Sequence, residues 1–169
     1  MSESPSRSMS GSPSRSMTGS PSGSTKDIRV VLMVDDNPAD VDLAREALKE
    51  KSPRSQVNTV GDGEQAIDFL KRKGIHADQP RPDLVILDLN LPKKDGRAVL
   101  AEVKSDPSLH GIPVVIFSTS RLTSDIARSY ELGANCYVNK PGNLNEYFAA
   151  VKAIEEFWFG LTSLPQRGN

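Results

Sequence analysis

The sequence has a single cysteine, Cys136, so no intramolecular disulfide can form and a reducing, cytoplasmic setting fits. Net charge is also nearly absent: 21 Lys and Arg face 22 Asp and Glu, leaving −1. Bulk charge therefore recruits neither nucleic acid nor a membrane. No apolar run approaches the ~20 residues that span a bilayer, and the first residues lack the apolar core of a signal peptide. Cys136 lies in an apolar strand pattern, Ala134-Asn135-Cys136-Tyr137-Val138, with no histidine near it in sequence. That is the setting of a structural thiol rather than a nucleophile.

The 169 residues suggest one domain. Residues 1–26 stand apart. Ser4-Pro5-Ser6-Arg7-Ser8-Met9-Ser10-Gly11 is followed by Ser12-Pro13-Ser14-Arg15-Ser16-Met17-Thr18-Gly19, then by a broken copy, Ser20-Pro21-Ser22-Gly23. A Ser/Pro/Arg-rich stretch of this kind has too little apolar surface to offset the cost of ordering, so a disordered tail is expected.

From Ile28 onward apolar strand runs alternate with amphipathic segments. The strands are expected at Val30–Val34, Gln56–Val60, Leu84–Leu87, Val114–Phe117 and Cys136–Val138. The helices are expected at Val41–Lys51, Glu64–Lys73, Arg97–Lys104, Ser124–Leu132 and about Leu144 to Phe159. This alternation predicts an α/β domain over 27–160 with a 161–169 tail: a flavodoxin-like (βα)5 doubly wound parallel sheet of strand order 2-1-3-4-5. Asn37 before Pro38 suits a helix start, Lys73-Gly74 suits a helix end, and Asp62 reads as a turn or cap residue.

The chemistry gathers where these strands end. Val30–Val34 runs into Asp35-Asp36, and Leu84–Leu87 runs into Asp88. Neighbouring strands lie about 4.8 Å apart, so three carboxylates meet at the carboxyl edge, where open α/β sheets bind ligands. Such carboxylates raise one another's pKa unless a cation is held between them. Oxygen donors without His or Cys suit Mg²⁺. The fourth and fifth strands deliver Ser118 and Lys140 to the same edge, and Lys140 can pair with the acids or meet an incoming anion.

These motifs resemble the response-regulator receiver domain of two-component signalling. They are Val34-Asp35-Asp36-Asn37, Leu87-Asp88-Leu89-Asn90-Leu91-Pro92-Lys93-Lys94-Asp95-Gly96, Phe117-Ser118-Thr119-Ser120 and Tyr137-Val138-Asn139-Lys140-Pro141. Each is weak alone; all four in this order are specific. The resemblance implies that Asp88 is the phosphoryl acceptor, served by a sensor histidine kinase. It implies that Asp35, Asp36, Asp88 and the Asn90 main-chain carbonyl bind Mg²⁺. It makes Ser118 the switch hydroxyl, Lys140 the phosphate-sensing lysine and Tyr137 the switch aromatic, with a cis Lys140–Pro141 bond. Signalling would leave through the surface of the fourth helix, fifth strand and fifth helix. Such a chain is a phosphoacceptor with slow self-catalysed dephosphorylation at most, not an enzyme. Thr119 departs from the pattern, standing where a smaller residue is common; its bulk is expected to slow access to Asp88.

The last helix carries Leu144, Tyr147, Phe148, Val151, Ile154, Phe157, Trp158 and Leu161 on one apolar stripe, with Phe159 beside it. Three successive rings sweep about 200° of helix, more than one core covers, so a homodimer through this helix and its surroundings is expected, the alternative being local capping by the Leu161–Leu164 tail. The Glu-Phe-Trp extension is similar to that of phytochrome-associated single-domain response regulators, which makes a phytochrome-type photoreceptor kinase one candidate partner. The ~10 residues after Phe159 are too few for a DNA-binding module.

Three other readings compete. A pseudo-receiver would bind partners without phosphorylation. A haloacid-dehalogenase-like phosphatase needs a second acid two residues after its nucleophile, where this chain has Asn90. Gly61-Asp62-Gly63-Glu64-Gln65-Ala66 fits a dinucleotide fingerprint, but it follows the second strand and its two acids would repel a pyrophosphate.

Overall fold

The computed structural model describes residues 28–51 and 55–166. The Ser/Pro/Arg repeat lies outside the described residues. Five strands, β1 (Arg29–Val34), β2 (Ser55–Val60), β3 (Leu84–Leu87), β4 (Val114–Ser118) and β5 (Cys136–Asn139), alternate with five helices. These are α1 (Pro38–Lys51), α2 (Gly63–Leu70), α3 (Gly96–Ser105), α4 (Thr123–Glu131) and α5 (Leu144–Glu155). The sheet is parallel throughout, in the order β2-β1-β3-β4-β5. The expected flavodoxin-like topology is therefore observed.

The period-2 geometry of the strands explains the two-sided core. Leu32, Val34, Val85, Leu87, Val114 and Ile116 face α2 and α3, whose Ala66, Phe69, Val99 and Leu100 close that layer. Val31, Met33, Ile86, Val115 and Phe117 face the other way, onto Ala44, Ala47 and Leu48 of α1 and Tyr147, Val151 and Ile154 of α5. Burying each of these large side chains is worth about 1.5–3 kcal/mol.

Local chemistry sets the helix ends. Asn37 Oδ1 accepts the Ala39 N–H at 3.0 Å, and Asp62 caps α2 by accepting the Gln65 N–H at 2.8 Å. Helix α2 stops at Leu70, short of the expected Lys73-Gly74. Arg72 takes a left-handed φ of 54°, the Arg72 N–H donates to the Phe69 carbonyl and the Lys73 N–H to the Asp68 carbonyl. This is a Schellman closure with arginine in the place that glycine usually takes. The Lys140–Pro141 bond, expected to be cis, is trans; no cis bond occurs among the described residues. Trans is the lower-energy isomer, and the Lys140 N–H still reaches the Ser118 carbonyl at 2.8 Å.

After Glu155 the last helix widens into a π turn, Glu156–Leu161. Its Thr162 N–H donates to the Phe157 carbonyl five residues back. Trp158 and Phe159 pack against the α1/α5 layer while Phe157 is exposed. Two of the three rings are thus half-covered by the domain's own core. Among the described residues no helix is long and apolar enough to cross a membrane.

Candidate functional site

Strand register brings the acids together. Val34 pairs with Leu87, so the residues that follow, Asp35 and Asp88, leave the sheet side by side. One oxygen each from Asp35, Asp36 and Asp88 lies within 4.8 Å of the others. Asp35 and Asp88 are buried and Asp36 is exposed. The Asn37 N–H donates to Asp35 Oδ1 at 2.9 Å, and the Asn90 N–H to Asp88 Oδ1 at 3.3 Å. The set offers carboxylate oxygens without His or Cys, the chemistry of a hard divalent cation.

Lys140 reaches across from the end of β5. Its Nζ lies 2.7 Å from Asp35, 2.9 Å from Asp88 and 3.2 Å from Asp40. Burial works against the ammonium, yet the hydrogen bonds to Asp35 and Asp88 and their negative charges outweigh it, holding its pKa above the ordinary lysine value. Burial likewise pushes the Asp35 carboxyl up, only partly offset by the hydrogen bonds from Lys140 and the Asn37 N–H. The site thus holds one buried cation among acids that would otherwise repel.

A second network adjoins it. Ser118 is wholly buried, and its Oγ accepts the Ser120 N–H at 3.2 Å. The Ser120 hydroxyl donates to Asp125 at 2.5 Å, and Arg97 of α3 donates to the same carboxylate at 2.6 Å. Those two hydrogen bonds draw the Asp125 pKa below the ordinary aspartate value. The Tyr137 hydroxyl donates to the Ser120 carbonyl at 2.7 Å, and the half-buried ring packs against the α2/α3 layer. Ser120 therefore joins Ser118, Tyr137, α3 and α4 through one residue.

Residues 31–152 match the response regulator receiver domain family. The chain belongs to that family. It is 46% identical over 137 residues to response regulator Rcp1 of Synechocystis, an alignment covering 81% of this chain and 93% of Rcp1. The probable methanogenesis regulatory protein FilR2 of Methanothrix harundinacea is 34% identical over 138 residues, 80% of this chain and 87% of FilR2. Among solved structures, the phosphorylated cyanobacterial phytochrome response regulator RcpA superposes with a TM-score of 0.80 at 51% identity, covering 82% of this chain and 99% of that one. The Mn²⁺-bound form of Rcp1 gives 0.78 at 46% identity, covering 81% and 99%.

The receiver fold accounts for the remaining motifs. Gly63 is not a phosphate-loop glycine: a Cβ there would lie 2.0 Å from the Lys94 carbonyl oxygen. Gly61-Asp62-Gly63 is thus a packed turn capped by Asp62. Thr119 is exposed beside buried Ser118. Cys136 is half-buried; burial pushes its thiol pKa up against a hydrogen bond from Trp158, as expected for a structural thiol. Sequence reasoning missed Asp40 and the Arg97–Asp125 pair. Asp40 left one signal, an acid one turn after Asp36 on the same helix start.

Proposed function

We propose that this receiver accepts a phosphoryl group from a sensor histidine kinase onto Asp88. The observation that carries the reading is the Asp88 carboxylate at the mouth of the sheet, clustered with Asp35 and Asp36 and 2.9 Å from the Lys140 ammonium. In the transfer, an Asp88 oxygen attacks phosphorus, a P–O bond forms, the P–N bond of the phosphohistidine breaks, and the imidazole leaves. Lys140 offers its charge to the equatorial phosphoryl oxygens. Asp35, Asp36, Asp88 and the Asn90 main-chain carbonyl are the groups to hold Mg²⁺, which when bound supplies charge neutralisation at those oxygens.

The product dianion draws Ser118 and Lys140 toward it. Ser120 passes that displacement to Tyr137 and α4, changing the α4–β5–α5 surface. Exposed Leu122 just before α4, Tyr130 of α4 and Leu144 of α5 lie at those elements. We assign the receiver to 27–160, place it in the cytoplasm, and take α5 and the exposed Phe157 as a homodimer surface. The likeness to the cyanobacterial phytochrome response regulator RcpA favours a phytochrome-type kinase.

Phosphotransfer profiling against histidine kinases tests the reading. Wild type is expected to take label only with a divalent cation, and Asp88→Asn to take none. Label that persists in Asp88→Asn places the acceptor elsewhere. For the dimer, sedimentation equilibrium of Phe157→Ala should show weakened association; an unchanged constant removes this surface.

A further inference from the structure

Lys140 has three carboxylate partners, and they are not equivalent. Asp35 and Asp88 also offer oxygens to the cation cluster; Asp40 stands outside it. A divalent cation and an ammonium repel, and they compete for the same Asp35 and Asp88 lone pairs. Loading the cluster therefore weakens two of the three bonds that hold Lys140. Asp40, 3.2 Å from Nζ, is the partner that remains.

Asp40 is also well placed to keep its position. It lies in the first turn of α1, where a negative charge is favoured by the helix dipole. Its carbonyl accepts the Tyr147 hydroxyl at 3.0 Å, and Tyr147 is buried in the α1/α5 layer against Phe117. The start of α1 is thus tied to α5.

We propose that Asp40 is a positioning residue that takes over Lys140 when a divalent cation occupies Asp35, Asp36 and Asp88, keeping the ammonium at the mouth of the site. The proposal rests on the receiver reading, in which the retained ammonium meets the incoming phosphoryl oxygens. It predicts that Asp40 acts on the cation through Lys140 and not merely as one more negative charge.

Mn²⁺ titration of the full chain, following free Mn²⁺ by electron paramagnetic resonance, tests this without any phosphoryl donor. Asp40→Asn is expected to weaken Mn²⁺ binding about tenfold, the lower end of what loss of an outer partner costs. Asp40→Glu, which keeps the carboxylate, should restore most of the affinity. In a Lys140→Met background the same Asp40→Asn change should alter affinity by less than about twofold, since the residue it acts through is gone. Equal weakening in both backgrounds overturns the proposal, because Asp40 would then act by charge alone; so does unchanged affinity in Asp40→Asn. Thermal unfolding checks each variant, and Asp40→Ser replaces Asp40→Asn if the amide disturbs folding. Label persisting in Asp88→Asn would sink the phosphoacceptor reading while leaving these Mn²⁺ affinities intact, so the two failures are distinguishable.

Discussion

Two aspartates bracket the same four-residue strand, and burial is almost all they share. Asp83 precedes β3 and Asp88 follows it, each 9% exposed. Asp83 Oδ2 accepts the Val30 main-chain N–H at 2.8 Å, with the Arg29 guanidinium at 3.5 Å from its other oxygen. Asp88 Oδ2 instead meets the Lys140 ammonium at 2.9 Å, on a long side chain, with the Asn90 N–H at 3.3 Å from its other oxygen. A main-chain donor belongs to the sheet and stays. An ammonium can be exchanged for another cation. What separates a carboxylate that builds the sheet from one open to a new partner is whether its present partner can leave.

The comparison breaks most visibly through Lys140. Lys140→Met strands buried negative charge on Asp35 and Asp88, and removing one side of a buried ion pair costs about 3–5 kcal/mol. Urea unfolding without divalent cations should show that loss, and millimolar Mg²⁺ should recover much of it. Asp83→Ala is the matching lesion at the other end of β3. It leaves the Val30 N–H without its carboxylate, for about 1–3 kcal/mol, and here Mg²⁺ should restore nothing. Equal rescue of both variants would erase the distinction.

Smaller effects sharpen it. Thr119→Ala trims an exposed side chain beside Ser118 and is expected to raise the acetyl-phosphate labelling rate of Asp88 about threefold, under 1 kcal/mol of barrier; an unchanged rate would clear Thr119 of any gating role. The smallest lies far from both aspartates. Hydrogen bonds from Lys71 and Lys94 hold the Glu102 carboxyl below its ordinary pKa of 4.5. A lowered folded-state value contributes stability above the ordinary pKa and loses it as pH falls through the folded one. Between pH 6 and 3 the wild type should lose about 0.5 kcal/mol more than Glu102→Gln, the scale of a screened surface pair.

Much of this arrangement was legible beforehand. Strand runs such as Val30–Val34 and Leu84–Leu87 are apolar on both faces, so each strand and its acidic end announced itself. Residues whose partners are set by the fold stayed hidden. Asp40 meets Lys140 across 100 residues, and Arg97 meets Asp125 only because α3 and α4 are brought together. The end of α2 was missed because an arginine took the left-handed position. The π turn was missed because one shifted hydrogen bond leaves no mark in composition.

Gly96 carries a consequence for how the site is seated. A Cβ there would lie 2.1 Å from the Asp88 carbonyl oxygen and 2.7 Å from Leu89 Cα, and its N–H donates to the Leu89 carbonyl at 2.8 Å. The start of α3 is pressed bare against the main chain of Asp88 and Leu89. Any side chain at 96 would have to push the Asp88 main chain aside, and with it the carboxylate that faces Lys140. The seat of that carboxylate is thus set by a missing methyl group.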